Sequence, residues 1–555
     1  MTHPPTPEQA AIVDAAASGA DLVVEAGAGT GKTSTLRLVA ARLAGKRGVY
    51  LAYNKAIQVD AARAFPVNVL CKTAHSLAYA AVGRQYAHRL RAPRMPARET
   101  ARILGLNDPV QLDKDRAPLA PQQLARLVME TVQRFCYSAD NQLQRTHVPL
   151  VNGIDSEPHR ADLAGYLVPV AQAAWDQHIA PLDGRLRFSH DCYLKLWAMS
   201  GPQLGADYVL LDEAQDSNPC VAALVTGQHA QRIWVGDRSQ AIYGWRGAVD
   251  AMEHAPGLRL LLSQSFRFGP AVADEANKWL AVLGARLRLR GFDRIASQVV
   301  DTIAADAVLC RTNAEAVRQC MAYTTAGART ALVGGGKEIQ SLAEAALELR
   351  GTGSTAHPEL CAFASWSDVI AYVEEDSAGS DLQVAVRLID TYGPEQVIAI
   401  LGRLVPEDHA DVVISTAHKA KGREWPRVQI ADDFREPKTS EDNPNPRIPR
   451  EDAMLAYVAV TRARQVLGRQ GLAWVDRWTP KTATPPFRPL AQPEPPDDWP
   501  DDEIDQIEAH TVPAPATKPA TDSMCLRCCS PRCICDPAAA ARWSAITGLF
   551  AGSRT

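Results

Sequence analysis

Leu22-Val23-Val24-Glu25-Ala26-Gly27-Ala28-Gly29-Thr30-Gly31-Lys32-Thr33 is the stretch that decides how this chain folds. A short apolar run leads into alternating glycines and a lysine. Leu36, Val39 and Leu43 then recur at helical spacing, so the order is strand, glycine loop, helix. Glycines there let backbone N–H groups converge on phosphate oxygens, the following helix adds its positive N-terminus, and Lys32 reaches the outer phosphates. The Thr33 hydroxyl is the candidate Mg²⁺ ligand of the pattern. Ala26 stands where the eight-residue GxxxxGK[ST] pattern has its first glycine, but the three glycines that follow supply the tight backbone. Gly27, Gly29, Thr30, Gly31, Lys32, Thr33 and Ser34 are thus the candidate phosphate-binding residues.

Further strand-like runs occur at Val49 to Tyr53, Tyr208 to Leu211 and Ile233 to Val235, each followed by a polar or glycine-containing turn. Short apolar strands alternating with helical stretches predict an α/β fold with parallel strands. A second set, Val308 to Arg311, Ala331 to Gly334, Val412 to Thr416 and Val428 to Ile430, predicts a second α/β layer. The expected boundaries are 1–81 with 205–258 for the first α/β domain and 259–334 with 410–476 for the second. Residues 82–204 form a helical insertion into the first; Pro121 sits in a first helical turn, and Leu124, Leu127, Val128, Val132 and Phe135 follow at helix spacing. Residues 335–409 form a shorter insertion into the second. Residues 477–524 are rich in proline and acid and poor in apolar residues, which predicts a disordered linker.

Length and composition agree with a multi-domain protein: 555 residues, 46% hydrophobic and 22% charged, exclude a disordered, collagenous or coiled-coil chain. No window approaches about 18 consecutive apolar residues, and the start MTHPPTPEQ has no basic region ahead of an apolar core. The expectation is a soluble cytoplasmic protein, nucleoid-associated in a bacterium, with no membrane partner. A formal net charge of −4 means that any nucleic-acid contact must come from a local groove.

Tyr208 to Leu211 ends in Asp212-Glu213-Ala214-Gln215-Asp216, at the strand edge where α/β sheets bind ligands. An acidic strand end by itself is more often a helix cap. Paired with the lysine loop, it reads as a phosphoryl-transfer site in which Asp212 holds Mg²⁺ and Glu213 polarises the attacking water.

These motifs in this order resemble a UvrD/Rep-type helicase of superfamily one, and the resemblance covers most of residues 1–475. The segments Phe188 to Trp197 and Val413 to Trp425 resemble the F-box DNA helicase branch, without an F-box-like segment ahead of the motor. The resemblance implies two RecA-like P-loop NTPase domains with ATP and Mg²⁺ between them, and ATP-driven 3′ to 5′ translocation on single-stranded DNA with duplex unwinding, in repair or recombination. The DNA partners it implies are single strands and tailed duplexes. Carried over residue by residue, Gln9 reads adenine, Phe266 stacks on it, Gln240 senses the γ-phosphate, Arg267 contacts it, Arg462 is the arginine finger and Glu424 meets the ribose. Asn54, Lys55, Thr73, His75, Tyr243, Trp245, Arg246 and His418 are the implied DNA contacts; an aromatic beside a nucleotide-sensing residue can also stack on a base, which links strand grip to hydrolysis. The usual phenylalanine two positions before Asn54 is Ala52, and Phe266 stands where tyrosine is usual. Arg464 is expected on a solvated helix. Two other readings stay open: a translocase that strips proteins with little unwinding, and a nucleotide-dependent binding scaffold.

Twelve cysteines are divided between scattered positions, read as reduced core thiols, and a crowded tail, Cys525-x-x-Cys528-Cys529-x-x-x-Cys533-x-Cys535, within residues 525–555. Cys525, Cys528, Cys533 and Cys535 can wrap a tetrahedral Zn²⁺, which would let so short a segment fold without a core. Unstructured thiols and an iron–sulfur cluster are the alternatives. The acidic linker, with Trp499 and Ile504, and the cysteine tail are the candidate protein-docking segments. Metal analysis of the chain purified without oxygen should find stoichiometric zinc; substoichiometric zinc and iron would remove the knuckle.

Overall fold

The computed structural model describes residues 4–92, 95–111, 118–151, 154, 156–242, 250–357, 360, 363, 365–375, 380–438 and 446–478. Apolar runs of a few residues become strands buried on both faces, the pattern of a parallel sheet covered by helices. Six such strands form the first sheet: β1 (Leu22–Ala26), β2 (Gly48–Leu51), β3 (Val69–Lys72), β4 (Tyr208–Leu211), β5 (Gln231–Gly236) and β6 (Leu258–Leu262). Their spatial order is β3-β2-β4-β5-β1-β6, all parallel. The second sheet holds β7 (Gln298–Val300), β8 (Ala307–Cys310), β9 (Thr330–Leu332), β10 (Val412–Thr416), β11 (Trp425–Ile430) and β12 (Ala463–Gly468). It is also parallel, in the order β7-β12-β11-β8-β10-β9.

Four strands escape the sequence pattern, and three of them, β3, β6 and β7, lie at sheet edges. An edge strand is buried on fewer sides and needs no continuous apolar run. β6 begins with exposed Leu258 and Arg259 yet pairs with β1 from Leu22↔Leu258 to Ala26↔Leu262, so the first sheet runs through residue 262 and not to 258. β12 also corrects the expectation for Arg464, which lies on this strand and not on a helix.

In the first insertion, helices Pro121–Tyr137, Glu157–Ala173 and His190–Met199 pack together, with Leu124, Val128, Val132 and Phe135 buried as the spacing predicts. Lys195 is buried here; its Nζ donates to the carbonyls of Ser138 (2.8 Å) and Asp140 (2.5 Å), which follow the first of these helices, and lies 4.2 Å from the Phe135 ring centre. A cation at that helix end is placed favourably for the helix dipole.

The second stretch, 335–409, is not a freestanding body. Its helices Lys337–Thr352, Trp366–Glu375, Ser380–Tyr392 and Pro394–Leu401 contribute Leu342, Leu349, Val369, Ile389 and Val397 to the same apolar cluster as Val308, Cys310 and Ile414 of the second sheet. Residues 479–555, which hold most of the acidic linker and the whole cysteine tail with Cys525, Cys528, Cys533 and Cys535, lie outside the described residues, as do Tyr243, Trp245 and Arg246. No described helix is long and apolar enough to cross a membrane. Leu349→Ala should destabilise the whole second lobe by about 2–5 kcal/mol, read by calorimetry as a downward shift of that lobe's transition; a freestanding insertion would leave the transition in place.

Candidate active site

Because β4, β5 and β1 are neighbours in one parallel sheet, the loops after all three emerge at the same edge. After β1, the loop turns through Gly29 (φ +73°) and Gly31 (φ +77°) before helix Lys32–Arg42 begins. Both angles belong to the left-handed region that glycine enters at little cost. Gly29 has a second constraint: a Cβ there would lie 2.5 Å from Arg267 Cβ and 2.6 Å from Ser265 Oγ. Lys32 Nζ lies 3.5 Å from the carbonyl of Ala26, and the loop is braced within itself by Thr30 Oγ1 donating to the Gly27 carbonyl at 2.9 Å.

After β4 come the two acids. Asp212 Oδ2 accepts from Tyr50 Oη at 2.6 Å and from Thr33 Oγ1 at 3.3 Å, and Asp212 Oδ1 accepts from the Glu213 backbone N–H at 2.9 Å. Burial, then the neighbouring Glu213 charge, push the Asp212 carboxyl up. Burial acts on Glu213 in the same direction, but Lys32, Lys421, a hydrogen bond from Gln215 and Arg462 outweigh it and hold the carboxyl at about 2. Glu213 is therefore a partly buried carboxylate that stays ionised. Its backbone has φ +52°, and among the described residues it is the only non-glycine with positive φ. Such a conformation costs about 1–2 kcal/mol, and strain of this kind concentrates at functional sites. Thr33 and Asp212 present hard oxygen donors beside one another, the donor chemistry that suits Mg²⁺.

The third loop follows β5. Gln240 Nε2 donates to Asp237 Oδ2 at 2.6 Å, and Gln240 Oε1 accepts from Arg462 Nη2 at 3.2 Å. Arg462 follows helix Arg450–Val460 of the second lobe and is 1% exposed; burial, then the nearby Arg267 charge, lower its guanidinium to about 9. It remains a cation at neutral pH. Two more second-lobe groups cross to the first. Lys421 Nζ meets Asp216 Oδ2 at 2.5 Å and the Gln240 carbonyl at 2.6 Å. Tyr457 Oη donates to Asp237 Oδ2 at 3.1 Å while accepting from the Ala28 backbone N–H at 3.2 Å. Around these, Ala28 and Ile242 of the first lobe share one apolar cluster with Phe268 and Val458 of the second.

Residues 64–252 match the UvrD/REP helicase N-terminal domain, and residues 402–468 match the UvrD-like helicase C-terminal domain. The chain carries both UvrD-like helicase domains. F-box DNA helicase protein 1 of Schizosaccharomyces pombe is 31% identical over 509 residues, covering 83% of this chain and 57% of that one. F-box DNA helicase 1 of Gallus gallus is 29% identical over 489 residues, covering 79% and 46% respectively. The chain thus spans about half the length of these curated relatives.

Asp212, Glu213 and Gln240 fall in the first matched stretch and Arg462 in the second, while Lys32 and Thr33 precede both; together the six form one connected cleft. Arg267 lies beside Gly29, but its guanidinium is engaged by Glu424 at 2.7 Å and by the Thr461 carbonyl at 3.2 Å. Glu424, expected at the ribose, accepts this pair and faces Arg464 at 3.8 Å. Gln9 and Phe266 meet at Gly31, where a Cβ would lie 3.5 Å from Gln9 Nε2 and 3.9 Å from Phe266 Cδ2. Phe292, which no motif signals, packs edge-on against Phe266 at 5.5 Å between ring centres. Ser34 sits in the first turn of the loop's helix.

The DNA candidates do not share one local environment. Asn54 and Thr73 cap helices Lys55–Ala64 and Ala74–Ala81 with their side chains, and Lys55 Nζ donates to Gln58 Oε1 at 2.6 Å. His75 Nε2 is 3.1 Å from Asp191 Oδ1, on the helix that ends the first insertion. His418 lies in the second lobe, where burial, then Arg311, lower its imidazole to about 4, so it is neutral at neutral pH.

Tyr50, Gln215, Asp216, Lys421 and Tyr457 complete the cleft without having been assigned roles from sequence; the only signal was their place inside or beside the motifs. Tyr457→Phe removes one hydroxyl and strands both Asp237 Oδ2 and the Ala28 N–H of partners across the lobe interface. It should cost about 1–3 kcal/mol of stability, measured by denaturant melts of wild type and variant; equal melts would deny the bridge any energetic role.

Proposed function

We propose that this chain is an ATP-dependent DNA helicase, translocating 3′ to 5′ on single-stranded DNA and unwinding duplex in repair or recombination. The observation that carries the reading is the buried contact of Arg462 with Gln240, which aims a second-lobe cation at the cleft that holds Lys32 and the Asp212-Glu213 pair. Catalysis of phosphoryl transfer is mostly positioning and charge stabilisation, and this cleft supplies both. Loop N–H groups and Lys32 bind the phosphate chain. Glu213, ionised and held by Gln215, orients and polarises the attacking water. Arg462 offsets negative charge spreading over the transferred group. Mg²⁺, held by Thr33 and Asp212, would add charge neutralisation on the phosphates. Coupling to movement follows from Lys421, Tyr457 and Arg462, which tie the second lobe to the loops after β1, β4 and β5. A change in the phosphate pocket then changes how the lobes sit.

DNA as the track is supported by the names of the relatives, both DNA helicases; polarity and pathway rest on the family resemblance alone. One observation favours the translocase reading with weak unwinding: the short 335–409 stretch is packed into the second lobe's core, which leaves little of it to engage a duplex.

Lys32→Ala should abolish ATP turnover, Glu213→Gln should retain ATP binding with hydrolysis at background, and Arg462→Ala should lower kcat about 10³-fold or more. Steady-state hydrolysis with and without single-stranded DNA or RNA, followed by unwinding of 3′- and 5′-tailed duplexes, tests the whole reading. Normal hydrolysis in the Lys32 and Glu213 variants would overturn the site assignment. DNA stimulation without unwinding selects the translocase, and absence of hydrolysis leaves a binding scaffold.

A further inference from the structure

Tyr50 lies on β2, paired in parallel with β4 so that it stands opposite Leu210, two residues before Asp212. Its side chain is fully buried, and its ring packs against Phe65 at 4.7 Å between centres. Phenylalanine would satisfy that packing equally well. A buried hydroxyl, by contrast, must find a hydrogen-bond partner. The partner here is Asp212 Oδ2, at 2.6 Å, the same oxygen that faces Thr33 Oγ1 at 3.3 Å. The second oxygen of Asp212 is already taken by the Glu213 backbone N–H at 2.9 Å. With a donor on each oxygen, the carboxylate plane is fixed. Asp212 is also nearly fully buried, so bulk water is poorly placed to substitute for a missing donor.

We infer that Tyr50 is a positioning residue for the divalent cation of this nucleotide site: its hydroxyl sets the rotation of the Asp212 carboxylate beside Thr33. The inference rests on the nucleotide-site reading above. Groups that orient a metal-binding carboxylate typically contribute a factor of about 10–100 in metal affinity. The hydroxyl therefore has a function separable from the ring.

The experiment uses the full chain with ADP and Mn²⁺ as the probe, following the free ion by electron paramagnetic resonance, with ADP binding in the absence of metal measured in parallel. Tyr50→Phe should weaken Mn²⁺ binding about 10- to 100-fold while metal-free ADP binding stays at the wild-type value. Phe65→Leu loosens the same ring packing but keeps the hydroxyl, and should leave Mn²⁺ affinity unchanged. Fluorinated tyrosine at position 50 retains the ring and alters the strength of the hydrogen bond, so it should shift Mn²⁺ affinity even where Tyr50→Phe fails to fold. Identical Mn²⁺ affinity in wild type and the Tyr50 proteins, or an equal loss in Phe65→Leu, overturns the assignment and leaves the nucleotide site standing. A wild type with no metal-dependent ADP binding overturns both.

Discussion

The adjacency of β4, β5 and β1 is the constraint on which the cleft depends. Parallel strands in one sheet deliver their following loops to a single edge, so the lysine loop, the acid pair and the Gln240 turn converge without any long-range contact to steer them. Among the described residues, three polar side chains of the second lobe, Lys421, Tyr457 and Arg462, then reach across to the site. All three are substantially buried, and their charges and hydroxyl are matched by groups of the first lobe. The apolar packing of Ala28 and Ile242 against Phe268 and Val458 excludes water around these bonds, which strengthens each of them.

Much of this was legible in the sequence because strand, glycine loop and helix follow one another locally, and because the acidic pair after β4, more often a helix cap when met alone, acquires a chemical reading beside the lysine loop. Edge strands β3, β6 and β7 were not; β6, for one, opens with exposed Leu258 and Arg259 and looks like a turn. Tyr50 was equally opaque: inside a buried run, a tyrosine cannot be told from packing until the neighbouring strand is known to end in Asp212. The left-handed backbone of Glu213 likewise leaves no mark on composition, because a glutamate has no local preference for it.

Arg267 and Glu424 illustrate a different limit. Arg267 lies beside Gly29, yet it and Glu424 engage one another, and a motif names a residue's neighbourhood without naming the partner that competes for it. The same holds for Thr73 and Asn54, whose side chains are committed to helix caps.

The position of β1 within its sheet also bears on how the chain is made. β1 is flanked on both sides by β5 and β6, strands synthesised roughly 200 residues or more after it. A nascent chain therefore carries β1 with both edges unpaired until β5 has left the ribosome, and with one edge still open until residue 262 has, well after the helical insertion is complete. Non-local parallel pairing is slow to form, and unpaired strand edges promote association. The helical insertion, held by contacts close in sequence, is consequently the part of this lobe that can fold while translation is still under way.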